Sequence, residues 1–293
     1  MSRIEEALEK AMELRELRKQ EPREEIAPGS AAGTPQEYVV GESIVQKDSV
    51  DKHLVCITEP YSLVAEQYKK LRARILMETK KDSLNTLMIT SSGGGEGKTI
   101  TAINLAVTMA HGYDNTVLLV DADLRNSSVC RYLGITAEYG LSDVLAGTVD
   151  LGDVLIKTGI GKLTILPAGQ LAENPAELLA SEKMKRLIHE MKSRYKDRYV
   201  IFDTSPVLVI SDSVPVAHSV DGTLVVVQAQ RTSEKTLSQA ISLLRGCKIF
   251  GVVLNDMPEQ LSSALYPYYD HYKRRQNEER TNHGNGSDPS SEK

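Results

Sequence analysis

The chain has 293 residues, 41% hydrophobic, 26% charged and 5% aromatic. This balance suits one large α/β domain with a sizeable core and excludes a chain disordered throughout. With 35 Lys and Arg against 40 Asp and Glu, the net charge is −5, so no global positive field draws in nucleic acid, which is not an expected partner.

Ile4, Ala7, Leu8, Ala11 and Leu14 recur at helical spacing among Glu, Lys and Arg, which predicts an amphipathic helix over 2–19. A short helix is marginal alone, so it packs on its own domain or docks on a partner, and the sequence leaves both open. The same segment offers no apolar signal region, and the longest apolar runs are strand-length, so the expected localisation is cytoplasmic, with no membrane span. Residues 20–50, rich in Pro and Gly, read as a flexible linker. The expected organisation is a helix and linker over 1–52, a domain over 53–265, and a tyrosine cluster with a solvated, disordered tail over 266–293. Cys56, Cys130 and Cys247 are scattered, without a CxxC pair or clustered His, and read as reduced, packed thiols.

From His53 onward, β-branched apolar runs at 86–90, 116–120, 163–166, 199–202, 223–227 and 249–254 alternate with helix-compatible stretches at 61–78, 98–111, 176–194 and 232–245, the last capped by Thr232 or Ser233. Several runs are apolar at successive positions, as strands covered on both faces require. The expected fold class is α/β: a mostly parallel central sheet with helices on both faces.

Between the strand at 86–90 and the next helix lies SSGGGEGKTIT, residues 91–101. Its glycines let backbone N–H groups converge on phosphate oxygens, and the helix beginning near Lys98 adds its positive end. Lys98 is expected on the β- and γ-phosphates and the Thr99 hydroxyl on Mg2+. Gly93, Gly94, Gly95, Glu96, Gly97 and Ile100 complete the expected ATP-binding segment. Ser92 stands where the GxxxxGK[ST] pattern has glycine. Two further runs end in acids: VLLV leads into Asp121, Ala122, Asp123, Leu124 and Arg125, and VIF leads into Asp203. In a parallel sheet these strand ends share the rim of the phosphate loop. Asp212 reads as a helix cap.

The trio SSGGGEGKT, VLLVDADLR and VIFDTSP resembles the Walker A, A′ and B motifs of the bacterial tyrosine kinases, within the deviant-Walker branch of phosphate-loop proteins, over roughly residues 55–272. GLSDVLAG (140–147), LPAGQLAENPAELL (166–179) and the tyrosine-rich ALYPYYDHY extend the likeness, and MSRIEEALEKA resembles the separate tyrosine autokinases of exosortase-associated exopolysaccharide systems. The resemblance implies a Mg2+- and ATP-dependent tyrosine autokinase. Asp121 is the candidate base, Asp123 and Asp203 hold the metal with Thr99, Lys98 and Arg125 assist catalysis, and Asn255 reads the adenine. The roles of Asp121 and Asp123 are open to exchange, and a strand-end cap is the competing account of Asn255. Tyr266, Tyr268, Tyr269 and Tyr272 are the expected autophosphorylation sites.

The implied partners are further copies of the chain, in a ring, a separate membrane-bound activator of the chain-length-determinant type that holds the kinase at the inner membrane, and a cognate tyrosine phosphatase. Glu66, Lys69 and Arg72 stand where the family's ring-forming helix reads ExxRxxR. The alternative function is an ATPase switch of the partitioning type without kinase activity, whose signature Lys is replaced here by Gly93.

Overall fold

Six apolar runs expected as strands are strands in the computed structural model, which describes residues 41–42, 45–112, 115–194 and 197–258. The helix expected over 2–19 and the tyrosine cluster lie outside the described residues. In chain order the strands are β1 (Gly41–Glu42), β2 (Thr86–Ser91), β3 (Thr116–Asp121), β4 (Ile156–Lys157), β5 (Leu163–Leu166), β6 (Arg198–Asp203), β7 (Gly222–Gln228) and β8 (Ile249–Asn255). They form one sheet of order β1-β4-β5-β3-β6-β2-β7-β8. Every neighbouring pair is parallel except β4 and β5.

The helices are α1 (Val55–Thr58), α2 (Leu63–Thr79), α3 (Lys98–Ala110), α4 (Val129–Leu133), α5 (Leu141–Ala146), α6 (Leu151–Val154), α7 (Pro175–Ala180), α8 (Glu182–Arg194), α9 (Ser213–Ala217) and α10 (Glu234–Leu243). Strand residues alternate between two cores. Leu87, Ile89, Leu119, Ile201 and Val226 face one side with Leu105, Ala106 and Met109 of α3. Met88, Leu118, Val120, Phe202 and Val225 face the other with Met184, Ile188 and Met191 of α8. Both faces are therefore covered, which is why the strands are apolar at successive positions.

Three differences from the sequence reading have local causes, and one open alternative, the cap of α10, is resolved. Strands β1 and β4 are two residues each, too short to show a period. β1 falls inside the expected linker, and Val45, whose N–H donates to the Thr158 carbonyl at 3.0 Å, packs with Val50 against the core ahead of residue 53. The helix expected over 176–194 breaks at Ser181, whose hydroxyl donates to Leu178 O (2.7 Å) and accepts from Met184 N (3.1 Å), ending α7 and capping α8. Ser233, not Thr232, caps α10, accepting from Thr236 N at 3.1 Å.

GLSDVLAG and LPAGQLAENPAELL dock on each other. The N–H groups of Leu141 and Ser142 donate to Pro167 O and Ala168 O at 2.8 and 2.9 Å. Asp143 Oδ2 accepts from Gly140 N and Gln170 N at 2.9 and 3.0 Å. A Cβ at Gly140 would lie 2.2 Å from Pro167 O, so glycine there is a matter of space.

At the opposite end of the sheet, Asp221 Oδ2 accepts from Asn85 N, Thr86 N and the Thr86 hydroxyl at 2.9, 3.0 and 2.8 Å, while Lys192 pairs with Oδ1. Burial alone would raise the Asp221 pKa, but Lys192 and these donors outweigh it and hold the carboxyl below its ordinary 3.8. Because the folded pKa lies below the unfolded one, the stabilisation is present above pH 4 and disappears as pH falls through the folded value. Asp221→Asn is expected to cost about 1–3 kcal/mol at pH 7. The gap to the wild type should close below pH 4 in urea titrations; a gap that is constant with pH would remove the charge from this account.

Candidate active site

Strands β3, β6 and β2 are sheet neighbours, so the loops leaving their C-terminal ends meet on one rim. The phosphate loop follows β2 and turns into α3 at Gly97, the N-cap, with φ 91°; Gly95 also has positive φ, 78°. Ser92 is absent from the positive-φ residues and fully buried, so its Cβ is tolerated where the general pattern has glycine.

The rim gathers the partly buried cation of Lys98 and three buried carboxylates. Lys98 Nζ lies 2.8 Å from Asp123 Oδ2 and 3.8 Å from Asp203 Oδ1. The Thr99 hydroxyl donates to Asp203 Oδ2 at 2.7 Å. Asp123 Oδ1 accepts from Ser205 Oγ at 2.8 Å and from Asn126 N at 3.2 Å. Asp121 is the ladder partner of Asp203. One of its oxygens accepts from Ser128 N and Val129 N, both at 3.1 Å, at the start of α4, and the other from Asp123 N at 3.3 Å.

These surroundings divide the three acids. Burial, and next the Asp203 charge, push Asp121 up to about 7. Burial also raises Asp203, to about 6, against the opposing pull of Lys98 and Thr99. At Asp123 burial is outweighed by the charge and hydrogen bond of Lys98 and by Ser205, so its carboxyl stays below the ordinary range. Burial disfavours the Lys98 cation, yet Asp203 and Asp123 outweigh it and raise its pKa.

A cavity of about 310 Å³ opens above this group, lined by Gly94, Gly95, Gly97, Lys98, Thr99, Ile100 and Asp123 together with Asn126, Ser128, Arg131, Tyr132, Pro206, Val209 and Ile210. The chemistry of the donors fits a Mg2+ ion. Asp203 Oδ1 is buried without a hydrogen-bond partner, and Thr99 and Asp123 add hard oxygens beside it. Among the described residues no group of three or more His, Cys, Asp or Glu forms a self-sufficient metal cage, consistent with a cation that uses one or two carboxylates plus phosphate and water.

Several expected site residues lie elsewhere. Gly93, Glu96, Asp121, Arg125, Asp203 and Asn255 do not line the cavity, although Asp203 reaches it through Thr99 and Lys98. Arg125 Nε is 2.6 Å from Asp212 Oδ2. Asp212 holds the N-cap position of α9 without a capping side-chain bond, so its carboxylate serves Arg125 and not the helix. Asn255 Nδ2 donates to Glu96 O at 3.0 Å. On α2, Lys69 pairs with Glu66 at 2.5 Å, while Arg72 donates to Thr108 O of α3 at 2.7 Å, bracing the two helices. The reading of the sequence missed Ser128 and Ser205, and took Thr232 only as a candidate helix cap. Ser205 follows Asp203 in the DTSP run, a signal available in the sequence; Ser128 and Thr232 enter only through folding.

An AAA domain matches residues 84–249, and the fold and rim define a nucleotide-binding phosphate-loop protein. The tyrosine-protein kinase YwqD of Bacillus subtilis (strain 168) is 34% identical over 223 residues, 75% of this chain and 92% of that protein. The putative tyrosine-protein kinase CapB of Staphylococcus aureus is 29% identical over 77% of this chain and 99% of its own. The kinase domain of Escherichia coli tyrosine kinase ETK superposes with TM-score 0.67 at 31% identity, covering 71% of this chain and 81% of that one. The chain belongs to the bacterial tyrosine-protein kinases. Among the described residues no helix is long and apolar enough to cross a membrane.

Proposed function

We propose that this kinase uses Mg-ATP to phosphorylate its own tail at Tyr266, Tyr268, Tyr269 and Tyr272, in trans within a homo-oligomer, and thereby regulates exopolysaccharide synthesis and export. The reading rests on Lys98, Thr99 and Asp123, which line the cavity, and on the buried Asp203 that the Thr99 hydroxyl and Lys98 contact, with Asp121 its neighbour across β3 and β6. Thr99, Asp123 and Asp203 would hold the Mg2+, which would supply charge neutralisation to the transferring phosphoryl group. Lys98 adds a second positive charge at the same oxygens. A phenol with pKa near 10 needs a base at neutral pH. Asp123 is committed to Lys98 and Ser205, whereas Asp121 faces no cation as closely, so Asp121 takes the phenolic proton. Arg125, held by Asp212, orients the loop after β3.

Each tail phosphate adds about −1.5 to −2 charges, so repeated modification repels neighbouring subunits and loosens the assembly. A separate membrane polypeptide of the chain-length-determinant type acts as activator and keeps the kinase peripheral to the inner membrane. A cognate phosphatase resets the tail.

The test is incubation of purified protein with Mg-ATP, followed by intact mass and peptide mapping. The expected result is phosphate within 266–272 that disappears when all four tyrosines are replaced by Phe. ATP turnover with unmodified tyrosines, even with a candidate activator added, would instead establish an ATPase switch of the positioning type.

A further inference from the structure

Glu96 lies within the phosphate loop and is 6% exposed. A carboxylate there opposes a polyphosphate unless it is held aside, because like charges repel strongly where water is scarce. Two contacts hold the carboxylate, and a third holds the backbone of the same residue. Oε2 accepts from Gly93 N at 2.9 Å. Oε1 accepts from the hydroxyl of Thr232, which itself accepts from Gln228 N at the end of β7 at 3.0 Å. The Glu96 carbonyl accepts from Asn255 Nδ2, and Asn255 lies so close to Gly97 that a Cβ there would stand 2.0 Å from Nδ2. The Thr232 hydroxyl thus has both a donor and an acceptor partner across two separate loops, and it is left for this bond because Ser233 caps α10.

We propose that Thr232 is a positioning residue for the nucleotide: it keeps the Glu96 carboxylate on the Gly93 N–H and away from the cavity wall formed by Gly94, Gly95 and Gly97. Glu96 is then a brace of the loop and not an ATP ligand. Removing the hydroxyl frees one carboxylate oxygen to turn toward the phosphates and unpairs the Gln228 N–H. The inference rests on Mg-ATP being the ligand of this cavity, as proposed above.

The experiment is an equilibrium titration of the full chain with a fluorescent ATP analogue and Mg2+, which needs no phosphoryl transfer to be read. Thr232→Val is expected to bind about tenfold more weakly, and Thr232→Ser, which keeps the hydroxyl, to bind within about twofold of the wild type. Thr232→Val combined with Glu96→Gln should bind no more weakly than Glu96→Gln alone, since the charge that Thr232 restrains is gone. In turnover assays KM for ATP should rise with little change in kcat. Unchanged affinity in Thr232→Val, or losses that simply multiply in the double variant, would overturn the proposal. If Thr232→Val does not fold, Thr232→Ala carries the same expectations. A wild type that binds the analogue but leaves its tyrosines unmodified would count against the autokinase reading and leave this one standing.

Discussion

Lys98→Met is expected to lower tyrosine phosphorylation by about 10³-fold or more and to destabilise the protein as well. The ammonium is the cation shared by Asp123 at 2.8 Å and Asp203 at 3.8 Å. Breaking a buried pair by removing one partner typically costs about 3–5 kcal/mol, because the remaining charge is uncompensated. Lys98→Arg should not restore activity, since a planar fork cannot occupy the place of a compact ammonium between these carboxylates. Phosphate incorporation by mass spectrometry and urea denaturation of the same preparations measure the two effects. Retention of wild-type stability in the Met variant would show that the carboxylates do not depend on this cation.

Asp121→Asn is expected to separate stability from activity. Its ladder partner is Asp203, so two buried carboxylates face each other across β3 and β6, and the like-charge repulsion is relieved when one becomes neutral. The amide still offers an oxygen to the Ser128 and Val129 N–H groups that Asp121 now accepts. Without metal or nucleotide, the variant should be more stable by about 1–2 kcal/mol, raising Tm by a few degrees for a domain of this size. Loss of the base should reduce phosphorylation by about 10²- to 10⁴-fold with nucleotide affinity maintained. Full activity would transfer the base role away from Asp121, and a lowered Tm would mean that its charge is structurally required.

The chemistry of the loop and strand ends was legible because it depends on residue types at fixed spacing. SSGGGEGKT can cradle phosphate only between a strand and a helix, and apolar runs ending in Asp121 and Asp203 place acids at strand ends whatever the remaining topology. The six longer strands and the principal helices follow from the same local patterns. β1 and β4 lacked enough residues to show a period, and Ser181 divided α7 from α8 with a single hydroxyl that no repeat announces.

What folding alone decided is which side chains are spent on one another. Strand order made β3 and β6 neighbours and set Asp121 against Asp203. It also brought Asp212, 87 residues distant, to Arg125, and sent Arg72 to the Thr108 carbonyl. Thr232 and Asn255 read as a cap and a base-reading residue in the chain, yet both are bonded to Glu96. Spacing along a chain determines what a residue can do locally, whereas the partner a polar side chain receives on burial is set by long-range register, which a single sequence does not display.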